Sequence, residues 1–299
     1  MTRGLGESSA FSEYHPIVNI TFYGLTIGIT MFTMSPLFLA CTLILSWCYS
    51  ILLSGRSAVK MNLVLSFWTV LIMTLINVLF THNGDTVLFY INGNRITLEA
   101  LIYGVSAAVM LCSVIIWFSS FNVIITAEKL IYLFGKAAPV LGLTLSMIFR
   151  YIPLLKKRYD EISMGQKCMA INDSTRMGEL RRGGKKISIL ISWSLESSID
   201  SADSMEARGY GLKGRTGFHL YRFTGRDALM ELWLCGMGAV CISGCVMDAA
   251  KVSFYPLYKV HEFDGGVAVT LIAFALLMAT PMVIDIIGEM KWKRSGLTI

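Results

Sequence analysis

The sequence predicts an all-α polytopic membrane protein, and three observations carry that prediction. The 299 residues are 55% hydrophobic and 15% charged, whereas a soluble domain carries about 25% charged residues. The mean hydropathy is +0.61. Apolar runs recur at the length of a membrane crossing, about 20 residues, and basic residues gather in certain of the segments between them. About six transmembrane helices are expected, together with long cytoplasmic helices.

Tyr14 to Gly55 contains no Asp, Glu, Lys or Arg and is too long for one crossing. Ser35-Pro36 breaks it, giving spans near Ile17–Thr33 and Leu37–Leu53. Arg56 and Lys60 punctuate, and Met61–Phe80 forms a third span. His82 to Glu99 is polar, with turn signals at Asn83-Gly84-Asp85 and Asn92-Gly93-Asn94. Thr86–Ile91 between them alternates weakly, so a short hairpin fits there. Leu98–Phe118 is a fourth span, Ala228–Met247 a fifth and Gly266–Ile287 a sixth. The polar loop Asp248–Asp264 separates the last two.

Ser119 to Asp227 differs in kind, holding seventeen of the 26 basic residues. Its apolar piece Ala137–Phe149 contains Pro139 and is closed by Lys136 and Arg150. Extending it to span length would bury a charge at roughly 2.5–3.5 kcal/mol. An interfacial or packed helix is the better reading. The chain then divides into a membrane region of four spans (1–118), a cytoplasmic or interfacial region (119–227) and a membrane region of two spans (228–299). The positive-inside rule places both termini, the Arg56/Lys60 loop and 119–227 in the cytoplasm. The first sixteen residues lead into an apolar run with no cleavage site, so the first span is expected to be uncleaved.

Several functions lack support. Seven cysteines form no C-x-x-C pair and mostly fall in apolar runs, as small buried hydrophobes do. His15, His82, His219 and His261 are scattered, so neither a metal site nor a cofactor is expected. No Ser/His, His/Glu or Cys/His constellation converges, and the chain is not expected to be an enzyme. A self-sufficient secondary transporter or channel is the alternative. It needs ionisable groups deep in the spans, whereas Glu231, Asp248 and Asp285 fall near span ends. The basic clusters border membrane spans, where anionic headgroups are the natural partner, and no nucleic acid is expected.

Two helices organise the basic region. Pro153 to Ala170 has no breaker until Gly165 and one charged face. Arg181-Arg182-Gly183-Gly184-Lys185-Lys186 reads as a basic turn leading into a second helix, Ile187–Ala207. There Leu195, Ile199 and Ala202 make an apolar stripe, and Glu196, Asp200 and Asp203 an acidic one at the same spacing. A solvated face explains the acidic stripe; packing against the basic side of the preceding helix is the sharper reading. Gly209 sits where a left-handed cap ends a helix, which puts Arg208 in the last turn. Gly209-Tyr210-Gly211-Leu212-Lys213-Gly214 satisfies G-x-G-x-x-G, and with Arg215-Thr216 it approaches a Walker A pattern. Both follow a helix where a phosphate loop follows a strand, so the chain carries no nucleotide site.

Ala202 to Tyr210, with Gly214-Arg215-Thr216 behind it, resembles the second signature of the transmembrane T component (EcfT/CbiQ-like) of energy-coupling factor (ECF) transporters. Phe149-Arg150-Tyr151-Ile152-Pro153-Leu154-Leu155, Asp160-Glu161-Ile162 and Gln166 are similar to that family's approach to its first coupling helix, and the likeness covers nearly the whole chain. The resemblance implies a non-catalytic energy-coupling subunit of an ABC-type importer in a bacterial or archaeal cytoplasmic membrane. Its partners would be two cytoplasmic ATPases and a membrane S component that binds a vitamin or metal ion. It further implies that Ala207-Arg208-Gly209 docks on an ATPase, supported by Glu206, Arg215 and Thr216. The first docking motif falls at Cys168-Met169-Ala170 and lacks its arginine. Lys167 and Arg176 are the cations nearby, neither at the matching position.

Overall fold

The computed structural model describes residues 9–81, 84, 86–91, 94–169, 176–212, 221–247, 252–253, 259–260 and 265–294. The helices are α1 (Pro16–Phe32), α2 (Pro36–Ser54), α3 (Arg56–Phe80), α4 (Leu98–Ile124), α5 (Ala127–Ala137), α6 (Pro139–Cys168), α7 (Arg176–Ala207), α8 (Gly225–Val246) and α9 (Gly265–Arg294). The expected hairpin precedes α4, with β1 (Val87–Ile91) antiparallel to β2 (Asn94–Thr97). A two-residue pair, β3 (Val252–Ser253) and β4 (Lys259–Val260), lies between α8 and α9. This is an all-α polytopic membrane protein.

Among the described residues five helices are long and apolar enough to cross a membrane: α2, α4, α8, and the stretches Ala58–Phe80 of α3 and Gly265–Trp292 of α9. The sixth expected span, α1, is apolar but only 17 residues long, about 25 Å of rise. Its length is set by two prolines. Pro16 starts it at the first helical position, and the chain leaves helix at Thr33 ahead of Pro36, which starts α2 in the same way.

The chain forms two compact units, one of Met1–Lys129 with Tyr221–Ile299, the other of Leu130–Leu220. In the first, Trp117 of α4 is fully buried. It meets Phe22 and Tyr23 of α1 at 5.7 and 6.3 Å and Tyr49 of α2 at 5.9 Å between ring centroids. Because lipid is as apolar as these rings, close packing rather than water exclusion holds such helices together. Gly244 shows how close: a Cβ there would lie 2.2 Å from Thr270 Oγ1, so α8 and α9 touch through a missing side chain. By contrast α3 turns Leu63, Phe67, Trp68, Leu71 and Leu75 outward, as a lipid-facing helix does.

The second unit corrects two expected boundaries. Of the apolar piece Ala137–Phe149, Ala137 ends α5, while Pro139–Phe149 and the helix expected from Pro153 are one helix, α6, which runs through Pro153. Arg181–Lys186 is not a turn but part of α7, which starts at Arg176. Each internal glycine costs about 1 kcal/mol against alanine and a proline about 3. Helix propagation through long flanking segments outweighs those local terms once a nucleus exists.

Candidate functional site

Side chains pin α6 and α7 antiparallel. Tyr151 Oη and Ser201 Oγ share a hydrogen bond of 2.7 Å. Arg158 stacks over the Trp193 ring at 4.9 Å, and Lys186 Nζ donates to Ser163 Oγ at 2.8 Å. The Arg158 guanidinium also donates to Glu161 on its own helix at 2.7 Å. The acidic stripe does not join α6: Glu196, Asp200 and Asp203 are exposed and form no ion pair among the described residues. The solvated-face reading holds.

The end of α7 is built as its sequence predicts. Gly209 has φ +75°, its N–H donates to Glu206 O at 2.8 Å, and the Tyr210 N–H donates to Met205 O at 3.0 Å. This is a Schellman closure, which satisfies carbonyls that a helix end otherwise leaves open. Arg208 is therefore the last residue before the chain turns away, where the helix dipole favours a cation. Glu206, Ala207 and Arg208 are all exposed. Arg208 makes no ion pair or side-chain hydrogen bond among the described residues.

Beside it lies a cavity of about 320 Å³ lined by Arg150, Tyr151 and Leu154 of α6 and by Asp200, Ser204 and Arg208, among others. In the sequence Arg150 stood out as the closing charge of an apolar run and as part of the stretch similar to the approach to a first coupling helix, not as a site residue. What places it here is the pairing of α6 with α7, which no local pattern encodes.

The degenerate first motif is in a different setting. Cys168 is the last residue of α6 and exposed. Met169 caps the helix, its N–H donating to Gly165 O, with its side chain 63% exposed. The cations nearest in sequence among the described residues are Lys167, in the last turn of α6, and Arg176, at the start of α7. Ala170, Arg215 and Thr216 lie outside the described residues.

A second polar cluster, which sequence reading did not find, lies in the membrane unit. Residues 9–15 are held by three charged side chains from three helices. Asp285 of α9 accepts from Ser9 Oγ at 2.8 and 2.9 Å and from Phe11 N at 2.8 Å. Lys129 of α5 donates to Ser12 O at 2.6 Å, Ser12 Oγ at 2.9 Å and Ile124 O at 3.0 Å. The Asn19 amide donates to Phe11 O and accepts from Lys129, both at 3.1 Å. Asp227 of α8 accepts from His15 N at 3.3 Å and, as a capping box, from Thr224 N at 2.9 Å and Thr224 Oγ1 at 2.6 Å. Burial without a carboxylate partner lowers the Lys129 pKa to about 8. Burial and the Glu128 carboxylate raise that of Tyr221. The only sequence signal for this cluster was a charge beside the end of each apolar run.

Among the described residues no three His, Cys, Asp or Glu side chains converge as metal ligands would. All seven cysteines are free, with Cys112 and Cys241 buried and Cys48, Cys168 and Cys235 exposed.

Spans that pack through aromatic rings and small residues, with a separate pair of long charged helices, define a polytopic membrane protein. The chain belongs to the cobalt transport protein family CbiQ, whose family model matches residues 9–218. That match takes in the spans up to α4, α6, α7 and Arg208 together. No curated protein sequence matches the chain.

Proposed function

We propose that this protein is the energy-coupling membrane subunit of an ECF-type ABC importer. It passes conformational change from two cytoplasmic ATPases to a substrate-binding S component that takes up a metal ion, cobalt foremost, or a vitamin. It sits in a bacterial or archaeal cytoplasmic membrane with both termini inside, and it performs no catalysis. The observation that carries the reading is Arg208, exposed and unpaired on a rigid helix end. A planar guanidinium so presented suits bidentate docking to a carboxylate.

Two further observations support it. Leu180, Ile187, Ile191, Leu195 and Ile199 of α7 are more than half exposed, an apolar strip that a membrane partner or the bilayer would cover. Sliding of two packed helices is a common way to relay domain closure, and α6 and α7 meet through few polar contacts. The self-sufficient transporter loses ground because the Asp285 carboxylate is fully engaged by Ser9 and the Phe11 amide.

The test is co-purification of a tagged chain with its ATPase pair. Arg208→Glu is expected to lose the ATPases and transport together, because breaking a paired interfacial arginine costs about 2–5 kcal/mol. Retention of both at native levels would rule out the docking role.

A further inference from the structure

We infer that the cavity between α6 and α7 receives one carboxylate side chain of a docking ATPase, and that Arg150 holds it jointly with Arg208. The inference rests on the docking reading above and adds to it a second arginine, a defined pocket and an opposing acid.

Arg150 comes from α6 and Arg208 from the end of α7, 58 positions apart in sequence, yet both line the same cavity. Neither guanidinium makes an ion pair or a side-chain hydrogen bond among the described residues. Asp200, which lines the same space, is likewise unpaired. The cavity thus holds two positive charges and one negative, none of them neutralised by contact. A single incoming carboxylate brings the group to neutrality. Its two oxygens offer about four lone-pair sites, enough for two guanidinium forks.

The remaining lining fits such a guest. Tyr151 and Ser201 already satisfy each other, so they form a fixed wall rather than competing for the anion. The Ser204 hydroxyl has no partner among the described residues and is free to donate. Met147, Leu154 and Met205 supply the apolar remainder, which lowers the local dielectric and strengthens a charge pair. At about 30 Å³ per water, the 320 Å³ cavity has room for an Asp or Glu side chain. The arrangement also bears on the missing arginine of the first motif. The last turn of α6 carries Lys167 but no arginine, and the unpaired arginine of α6 lies instead in the cavity of the second motif.

The experiment uses the full-length chain in nanodiscs, titrated with its purified ATPase pair. Arg150→Gln and Arg208→Gln are each expected to weaken binding about 10- to 100-fold. The double variant should lose much less than the product of the two, because both arginines serve one carboxylate. Asp200→Asn should tighten binding several-fold, and Lys157→Gln, exposed on the same helix, should leave it unchanged. Arg150→Lys, keeping charge without the fork, should recover part of the loss. Native affinity for Arg150→Gln beside a weakened Arg208→Gln overturns the role of Arg150 and leaves Arg208 docking intact. Native affinity for both overturns the docking reading itself. Strictly multiplicative losses overturn the shared carboxylate. A loss for Arg150→Gln that appears only in nanodiscs containing phosphatidylglycerol assigns the cavity to an anionic headgroup, and overturns the inference as well.

Discussion

Ser9 Oγ lies 2.8 Å from Asp285 Oδ1 although 276 positions separate the two residues. The contact joins the first described residue to the last helix, and the same carboxylate also accepts from Phe11 N at 2.8 Å. Removing it leaves a buried hydroxyl and a buried amide without an acceptor, at about 1–3 kcal/mol each. Asp285→Ala is therefore expected to lower the unfolding midpoint of the detergent-solubilised protein by several degrees. Asp285→Asn, which keeps one accepting oxygen, should lower it less. Equal midpoints for the two variants would contradict this account of the clasp.

Lys129 makes the same segment sensitive to alkaline pH. Its folded pKa is lowered to about 8 by burial, while the unfolded chain titrates near the ordinary lysine value of about 10.4. The charged form is disfavoured in the folded state, so the penalty is fully present below pH 8. Between pH 8 and about 10.4 the unfolded chain binds more protons, and stability from this group rises with pH. Lys129→Met lacks that contribution. Subtracting its unfolding midpoints from those of the native chain across pH 7–10 should give a difference that climbs with pH. A flat or falling difference would show that Lys129 is stabilised as a cation by the carbonyls around it.

The membrane architecture was legible because its signal is compositional: twenty apolar residues in a row read the same in any tertiary context. So was the cap at Gly209, since a left-handed residue after a long helical run leaves little choice. What stayed hidden depended on partners distant in sequence. Pro153 and Gly183-Gly184 carry strong local breaking signals, yet α6 and α7 run through them. Arg150 acquires its setting from α7, and Asp285 looks like a span-end charge until Ser9 and Phe11 are brought to it. Position along the chain therefore located the spans but not the polar contacts between them.

The contact of α8 with α9 depends on Gly244 having no side chain. A Cβ there would lie 2.2 Å from Thr270 Oγ1 and 2.4 Å from Thr270 Cγ2, inside any tolerable separation. Overpacking of this kind costs about 1–3 kcal/mol. Gly244→Ala should reduce thermal stability, and Thr270→Ala introduced with it should restore part of the loss, because only the Thr270 Cβ, 2.9 Å away, then remains. A double variant no more stable than Gly244→Ala alone would place the strain elsewhere.

Gly209 separates the helix that presents Arg208 from the chain beyond it, and its φ of +75° is a conformation that L residues adopt at a cost of roughly 1–2 kcal/mol. Alanine there would also bring a Cβ to 3.0 Å from Leu212 Cδ1. Because α7 is long, the cost should fall on the last turn rather than on the whole helix. The Schellman bonds from Gly209 N and Tyr210 N would loosen, and Arg208 would lose its fixed direction. Gly209→Ala is accordingly expected to leave the unfolding midpoint within a few degrees while weakening ATPase capture about tenfold, a loss of roughly 1.4 kcal/mol. Gly209→Asn, which tolerates positive φ better than alanine, should fall between the two. Undiminished capture by Gly209→Ala would mean that direction at the helix end does not matter, and that the guanidinium finds its partner from a flexible tether.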